Sequence, residues 1–560
     1  MLSFISRTCL ATTSLVLLGF PAFAAIPTSV EPDRLPQQYK QIEELKSTKA
    51  PLLVVPAPEE VVAAADTVKI FKLQRVNYKG LTVYSSDTLK PLSEDFVNQQ
   101  VSMADLQTIA ARLTLRLHND GYVFSRAVME PQEIENGTVT YTIIEGYISD
   151  VIIEGDEAQR KLVNQYVNKI KKMNPLRIST LERYLLLVDD LPGVTARTVL
   201  RPSKQAQNAA ELILTLSNKK AEGDIEVNNY GSKYLGPIQL EAVAALNSPL
   251  GIYDRHVLRG ITSSDFDELG YLEYSNEEQL GSEGTRLLLR GALSKAHSGG
   301  TLEPLDIKGE STLLEASLLH PLIRSRQQNL NLYLTQQVLD SSVDLLGSEI
   351  AEDRVRHISG KAAYDFTDRF SGVNLLEGEL VQGLDILNAT NDGLGRSRAN
   401  GNHVFTRGNF RATRLQALTG SWSAYFAASG QYSPDPLLAS EEFAIGGRTF
   451  GRGYDSGEIA GDSGIDMSLE LRFSQQLNNP YLSSYQLYSF YDIGTVWNKD
   501  AVVGESSRNS LASVGIGTRV NLAYNMSGVL ECAVPLTKDI TSFGNAGDNP
   551  RGLFSLTKRF

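Results

Sequence analysis

No set of side chains in this sequence is spaced for catalysis. His118, His256, His297, His320, His357 and His403 are dispersed, with no pair at metal-ligand spacing and no His-Glu-x-x-His. The two cysteines, Cys9 and Cys532, form no cluster, and no phosphate-binding glycine loop ends in Lys-Ser or Lys-Thr. The repeated Asp455-Ser456-Gly457 and Asp462-Ser463-Gly464 put a serine beside a carboxylate. They lack the pattern of a nucleophile elbow and read as turns. The expectation is therefore a protein that is not an enzyme, with neither metal nor cofactor. A formal net charge of -12 also argues against a nucleic-acid partner, which requires a basic face or stripe.

The elements that would position any site begin with an export signal. Arg7 precedes the apolar stretch Leu15 to Phe20, and Ala22-Phe23-Ala24 supplies a small-x-small cleavage site, giving a signal peptide over 1–24. Cys9 leaves with it, so Cys532 has no disulfide partner, and no lipid anchor is expected. No stretch is long and uncharged enough for a spanning helix of ~20 residues. Over 25–49, Leu35, Tyr39 and Ile42 fall at helical spacing in LPQQYKQIEELK. This segment is either a frayed terminus or a helix that docks into something larger. Three prolines in APLLVVPAPEEVVAAAD make 50–66 an extended spacer.

One pattern then occurs twice, over 67–147 and 148–220. Each copy reads β-α-α-β-β in about 75 residues, close to the lower limit for a domain that folds alone. The first opens with a strand-like run, Val68 to Tyr78, stopped by Gly80. Ser102 caps a helix with Leu106, Ile109, Leu113 and Leu117 on one face, and strands follow at Val123 to Met129 and Thr138 to Glu145. The second opens with Ile148 to Glu154, has a capping-box pattern at Ser179 and Glu182, and closes with strands at Thr195 to Leu200 and Glu211 to Leu216.

Over 221–560 the texture changes to strict alternation. Met467, Leu469, Leu471 and Phe473 alternate with Ser468, Glu470 and Arg472; Leu330, Leu332 and Leu334 alternate with Asn331 and Tyr333. If the apolar sides meet lipid, Glu470 and Arg472 face a wet interior. That arrangement reconciles a hydrophobic fraction of 42% and a mean hydropathy of -0.17 with a membrane protein. Such runs fill about 340 residues, too many strands for an open sheet, and closure removes the edges that lipid cannot satisfy. A transmembrane β-barrel of roughly sixteen antiparallel strands follows. A soluble β-sandwich or propeller also alternates and is the competing fold. The last strand ends in Phe560, with Phe554 and Leu556 on its face.

With these elements in place the chain resembles the two-partner secretion transporters of the outer-membrane protein 85 superfamily, exporters of haemolysins, filamentous haemagglutinins and contact-dependent toxins. The two repeats resemble polypeptide-transport-associated (POTRA) domains, and 25–49 and 50–66 the family's pore-plugging helix and linker. Asn229-Tyr230-Gly231-Ser232 followed by Leu246-Asn247-Ser248-Pro249-Leu250-Gly251 is similar to its opening barrel hairpin, and His320-Pro321-Leu322-Ile323-Arg324-Ser325 to a later strand end. Gly451-Arg452-Gly453-Tyr454 resembles the superfamily's loop motif, with Gly451 where Val or Ile is usual. Phe490, Asp492 and Gly494 match the companion Phe-x-Asp-x-Gly. The resemblance implies that the sixth extracellular loop enters the lumen and that Arg452 pairs with Asp492.

Elementary physics is consistent with that pairing. Alternation in Tyr485 to Trp497 puts Tyr491 and Ile493 on one face and Phe490, Asp492 and Gly494 on the other. An inward carboxylate in a partly dehydrated lumen is costly without a cation, and the planar fork of an arginine engages both its oxygens. The alternative is a solvated Arg452 and another cation at Asp492. The expected function is export of a large secreted partner, a haemolysin, adhesin or toxin, engaged by the POTRA pair in the periplasm. Other partners implied are outer-membrane lipids and the barrel assembly machinery, through Phe560. The alternatives are a barrel assembly or insertion factor, which typically has more POTRA domains, and a passive porin, which needs neither the repeats nor the loop motif.

Overall fold

Alternation with a period of two builds a sheet that closes on itself. The computed structural model describes residues 31–35, 67–155, 160–204, 206, 209–390, 395–501, 506–537 and 549–560. The expected signal over 1–24, the spacer over 50–66 and all of the Leu35 to Lys46 helix beyond Leu35 lie outside the described residues. Sixteen antiparallel strands, from Ala221–Asn228 to Arg551–Arg559, form a closed barrel. The first and last strands pair from Asn228 opposite Ser555 to Asp224 opposite Arg559.

The barrel is inside-out relative to a soluble sheet. In the strand Ser463–Gln476, Met467, Leu469 and Leu471 are exposed while Asp466, Ser468 and Glu470 are buried. Rows of exposed aliphatic side chains around a polar interior suit lipid outside and water within. Exposed Phe370, Trp422, Tyr481, Tyr524 and Phe560 stand at the strand ends nearest the N-terminal domains, where an aromatic girdle belongs. Among the described residues no helix is long and apolar enough to cross a membrane.

Each N-terminal repeat is a three-stranded mixed sheet covered by helices. In the first, Arg75–Lys79 runs parallel to Thr138–Ile144, which pairs antiparallel with Arg126–Val128. In the second, Tyr147–Gly155 runs parallel to Ala209–Asn218, which pairs antiparallel with Val194–Pro202. In both, the last strand of the repeat is the central one. The run from Val68 to Tyr78 is not one strand: Lys69–Lys72 pairs with Gln100–Ser102, and Leu73 turns inward, fully buried, before Arg75 enters the main sheet.

The helix Met103–Asn119 starts from a capping box in which Ser102 and Asp105 exchange hydrogen bonds. Lys69, with the backbone and hydroxyl of Ser102, holds the Asp105 carboxyl down at about 2. The capping box expected at Ser179 and Glu182 does not form. The helix Ile178–Asp189 starts two residues earlier than a cap at Ser179 implies, with Arg177 at its N-cap and no side-chain cap. Glu182 instead accepts from the Arg326 backbone N–H of a barrel turn at 3.1 Å. Tertiary contact has taken the residue that local capping would use.

The second repeat is docked on the barrel. Arg324, at the end of the strand Lys308–Arg324, donates through Nε and Nη2 to both oxygens of Asp190, each at 2.7 Å. Arg183 donates to the Pro321 carbonyl at 3.0 Å, and Lys169 to that of Ser282 at 2.9 Å. Tyr253, from a barrel turn, is buried in the repeat's own apolar core. The two repeats abut without a spacer: Leu176 N–H donates to Gly146 O and Ile178 N–H to Gly121 O, both at 2.9 Å.

Candidate functional site in the barrel lumen

The connection over 433–462 carries the Arg-Gly-Tyr motif, and its own sequence folds it against the wall. Phe443–Ile445 pairs antiparallel with Ile459–Gly461, making a short hairpin inside the barrel. Ile445, Tyr454 and Ile459 are buried with Val496 and Leu511 of the wall in one apolar patch. Gly451 takes φ +75, and a Cβ there would also lie 2.8 Å from Leu511. Glycine at the position where the resemblance has Val or Ile is thus matched to this backbone.

Arg452 is 3% exposed. Its Nε lies 3.0 Å from Asp492 Oδ2 and its Nη2 2.8 Å from Oδ1, while its backbone N–H donates to Oδ2 at 3.1 Å. Nη2 also donates to Ser468 Oγ at 3.1 Å, and Nη1 to Glu470 Oε1 at 2.6 Å. Glu531 Oε1 is 3.4 Å from Nη1. The guanidinium carbon sits 3.5 Å from the centroid of the Phe490 ring, within cation–π range. Phe490 can lie there because Gly515 has no side chain; a Cβ at Gly515 would come 2.3 Å from the ring.

The other residues of the two motifs serve close approach. A Cβ on Gly453 would stand 2.9 Å from Ser513 Cβ and 3.0 Å from the backbone nitrogen of Pro535. On Gly494 it would stand 2.7 Å from Ile445 of the hairpin. The Tyr454 hydroxyl is 2.9 Å from the Ala512 and Thr537 carbonyl oxygens and accepts from Thr537 N–H at 3.0 Å. All seven motif residues therefore meet at one place on the wall formed by Ser463–Gln476, Leu482–Trp497 and Arg508–Leu522.

Sequence reasoning missed two of the six charges gathered here, Glu531 and Arg519. Glu470 also receives Arg472 Nε at 2.7 Å and Arg519 at 3.2 Å, and Glu531 receives the Tyr488 hydroxyl at 2.6 Å. Arg519 stacks over Tyr488 at 3.8 Å and Arg472 over Tyr425 at 4.0 Å. Three carboxylates and three guanidiniums thus balance in one cluster. Alternation already turned Glu470 and Arg472 inward; only the stagger between strands decides which guanidinium each carboxylate meets. Such a cluster performs no bond chemistry: it fixes a loop.

The two Asp-Ser-Gly repeats part company. Ser456 and Gly457 form a turn, but Ser463 opens a barrel strand and Asp462 is fully buried. Asp462 accepts from Arg398 Nη1 and the Leu437 N–H, each at 2.6 Å, so it ties this loop to the 384–405 connection. Among the described residues no group of three or more His, Cys, Asp or Glu is arranged to hold a metal ion.

Comparison with known proteins places this architecture among relatives. The family described as "Haemolysin secretion/activation protein ShlB/FhaC/HecB" matches residues 212–520, and "POTRA domain, ShlB-type" matches residues 71–146. The chain is similar to the heme/hemopexin transporter protein HuxB of Haemophilus influenzae (strain 86-028NP), with 25% identity covering 98% of this chain and 96% of that one. It is similar to the outer membrane transporter CdiB of Escherichia coli O6:K15:H31 (strain 536 / UPEC), with 23% identity covering 90% and 89%. In fold it is similar to the solved structure of CdiB from Escherichia coli, with a TM-score of 0.75, 20% identity and coverage of 91% and 94%. CdiB from Acinetobacter baumannii gives a TM-score of 0.66 at 16% identity, covering 94% and 97%.

Proposed function

Since the chain belongs to the haemolysin secretion/activation family of ShlB, FhaC and HecB, the outer-membrane transporters of two-partner secretion, we propose how its parts divide the work of exporting a partner protein. The division is a signal over 1–24, a pore-closing segment over 25–49, a tether over 50–66, POTRA domains over 67–147 and 148–220, and the barrel over 221–560. The barrel resides in the outer membrane with the POTRA domains in the periplasm. The cargo is a large secreted protein of the haemolysin, adhesin or toxin kind.

The unfolded cargo engages the POTRA pair. Arg75–Lys79, Arg126–Val128, Tyr147–Gly155 and Val194–Pro202 are the outer strands of their sheets, and an extended cargo segment can add to such an edge by main-chain hydrogen bonds. The second domain, held on the barrel by Arg324 and Asp190, then delivers the chain to the lumen. Folding outside gives direction, since a folded domain does not thread back. Arg452, held by Asp492, Glu470 and Glu531, keeps the loop on the wall and the lumen in its transport-competent form. Phe560, exposed after the last strand, presents the terminal aromatic to the barrel assembly machinery.

The single observation that supports this reading most is the loop hairpin folded inside a closed barrel and fixed by one buried arginine, a device a passive pore does not need. The experiment is quantitative proteomics of culture medium and outer membranes with and without the gene. Loss of one large secreted protein with other barrels unchanged is the expected result. Broad depletion of outer-membrane barrels would make the protein an assembly factor instead.

A further inference from the structure

The outer mouth of the barrel, at the far end from the POTRA domains, holds a built site that none of the motifs accounts for. Residues 31–35 lie in it. Pro32–Arg34 is a single turn of 3-10 helix, closed by the Leu35 N–H on the Pro32 carbonyl. The same carbonyl oxygen is 2.9 Å from Ser294 Oγ and 3.0 Å from Ser311 Oγ, two buried hydroxyls on neighbouring strands that are 2.5 Å from each other. Buried hydroxyls aimed at one peptide oxygen would be left facing each other if that oxygen departed.

The fit is steric as well as polar. A Cβ on Gly309, in the strand Lys308–Arg324, would meet three atoms first, all of them in the Pro32 ring, at 2.5, 2.6 and 3.1 Å. The space that this glycine leaves is filled by Pro32. Leu35, 1% exposed, is buried in an apolar cluster drawn from the barrel wall and four extracellular connections, including Tyr234, Ile307, Phe405 and Leu437.

Between proline and leucine stands a buried ion pair. Arg34 Nη2 donates to Glu442 Oε2 at 2.6 Å, with both side chains under a tenth exposed, and Arg34 also pairs with Glu31. Glu442 belongs to the same 433–462 loop as Arg452. Its other oxygen is 3.1 Å from Arg398, which holds Asp462 at 2.6 Å. The charges run unbroken from the N-terminal segment through the loop to the neighbouring connection.

We propose that this mouth is a receptor site for a short peptide of the pattern proline, any residue, arginine, leucine, filled at rest by the chain's own Pro32–Leu35, which latches the N-terminal segment to the 433–462 loop. The latch rests on the reading of residues 25–49 as the closure of the pore and specifies what holds that closure. The serines recognise backbone, Gly309 leaves room for the proline ring, Glu442 selects a cation and the apolar cluster selects leucine. Closure thus depends on Pro32–Leu35 and the groups that hold them at the outer mouth, and a peptide with the same order of groups competes for the site.

The test is ion conductance of the purified full-length mature protein in planar bilayers, with the mobility of the unheated barrel on electrophoresis as the check on folding. Gly309→Ala and Arg34→Glu are each expected to raise conductance to the level of a variant lacking residues 25–49. Pro32→Gly added to Gly309→Ala removes the ring that the new methyl meets and is expected to bring conductance back down. The peptide Glu-Pro-Asp-Arg-Leu, added on the outer face, is expected to lower conductance of the deletion variant; its Arg→Glu counterpart is not. If the deletion raises conductance but Gly309→Ala and Arg34→Glu both stay at the wild-type level, the latch is wrong and the closure stands. If the deletion itself changes nothing, closure and latch fail together.

Discussion

Arg452 and Asp492 meet through three hydrogen bonds, two from the guanidinium and one from the arginine's own backbone N–H, all to a carboxylate with no solvent exposure. The backbone bond ties the carboxylate to the loop's path as well as to the side chain. Removing the guanidinium leaves Asp492, Glu470 and Glu531 against two arginines. Breaking one partner from a buried pair of this kind costs about 3–5 kcal/mol. The barrel's strand ladders do not depend on it, so Arg452→Ala is expected to lower export severalfold while barrel abundance in outer membranes changes much less. Equal loss of both, measured by cargo in the medium against barrel in membranes, would make Arg452 a structural brace. Arg452→Lys is expected to recover little, because one ammonium cannot span Asp492 and Glu470 together.

Gly453 tests the same contact by volume instead of charge. A methyl there faces the Ser513 side chain and the Pro535 backbone, and the latter cannot move without disturbing a strand. Overpacking of this kind costs about 1–3 kcal/mol. Gly453→Ala is expected to lift the loop from the wall and raise its protease sensitivity from outside the cell. Wild-type sensitivity would mean that the wall yields.

Much of this arrangement was legible in the sequence, and the limits have physical causes. Alternation turned Asp492 and Glu470 inward because a strand's side chains point to opposite faces regardless of tertiary structure. Nothing in one strand's pattern says how far its neighbours slide along the barrel, so Glu531 could not be assigned to Arg452, nor Arg519 to Glu470. Ser102 formed the expected cap, with Asp105 completing a box, whereas Glu182 left Ser179 for a barrel turn. Gly309 reads as an unremarkable strand glycine; its role depends on Pro32, which is distant in sequence.

The second POTRA domain is fixed to the barrel by Arg324 and Asp190, with Gly284 admitting Leu187: a Cβ at Gly284 would lie 2.5 Å from the leucine. Asp190 is partly exposed, so the ion pair itself contributes only about 1 kcal/mol despite its two-point geometry. Gly284→Val, which drives a branched side chain into Leu187, adds a steric term. The combined Arg324→Ala/Gly284→Val variant is expected to expose the junction around 281–284 to hydrogen exchange while the barrel strands stay protected. Unchanged exchange would show that Tyr253 and Arg183 suffice to hold the domain.

The seam between the first and last strands bears on the route of export. Its pairing spans Asn228–Ser555 to Asp224–Arg559, shorter than that of any neighbouring pair of barrel strands. It is reinforced from inside, where Glu226 accepts from Thr557 Oγ1 at 2.9 Å and from Arg448 of the 433–462 loop at 3.0 Å. If cargo passes through the lumen, the seam need never part. Val227 and Leu556 are register partners. Replacing both with cysteine, and the exposed Cys532 with alanine, allows the seam to be closed by a disulfide. Export from oxidised cells is expected to match that from reduced cells. A loss of export that reductant restores would mean that the seam opens during transport, and the route through the lumen would have to be abandoned.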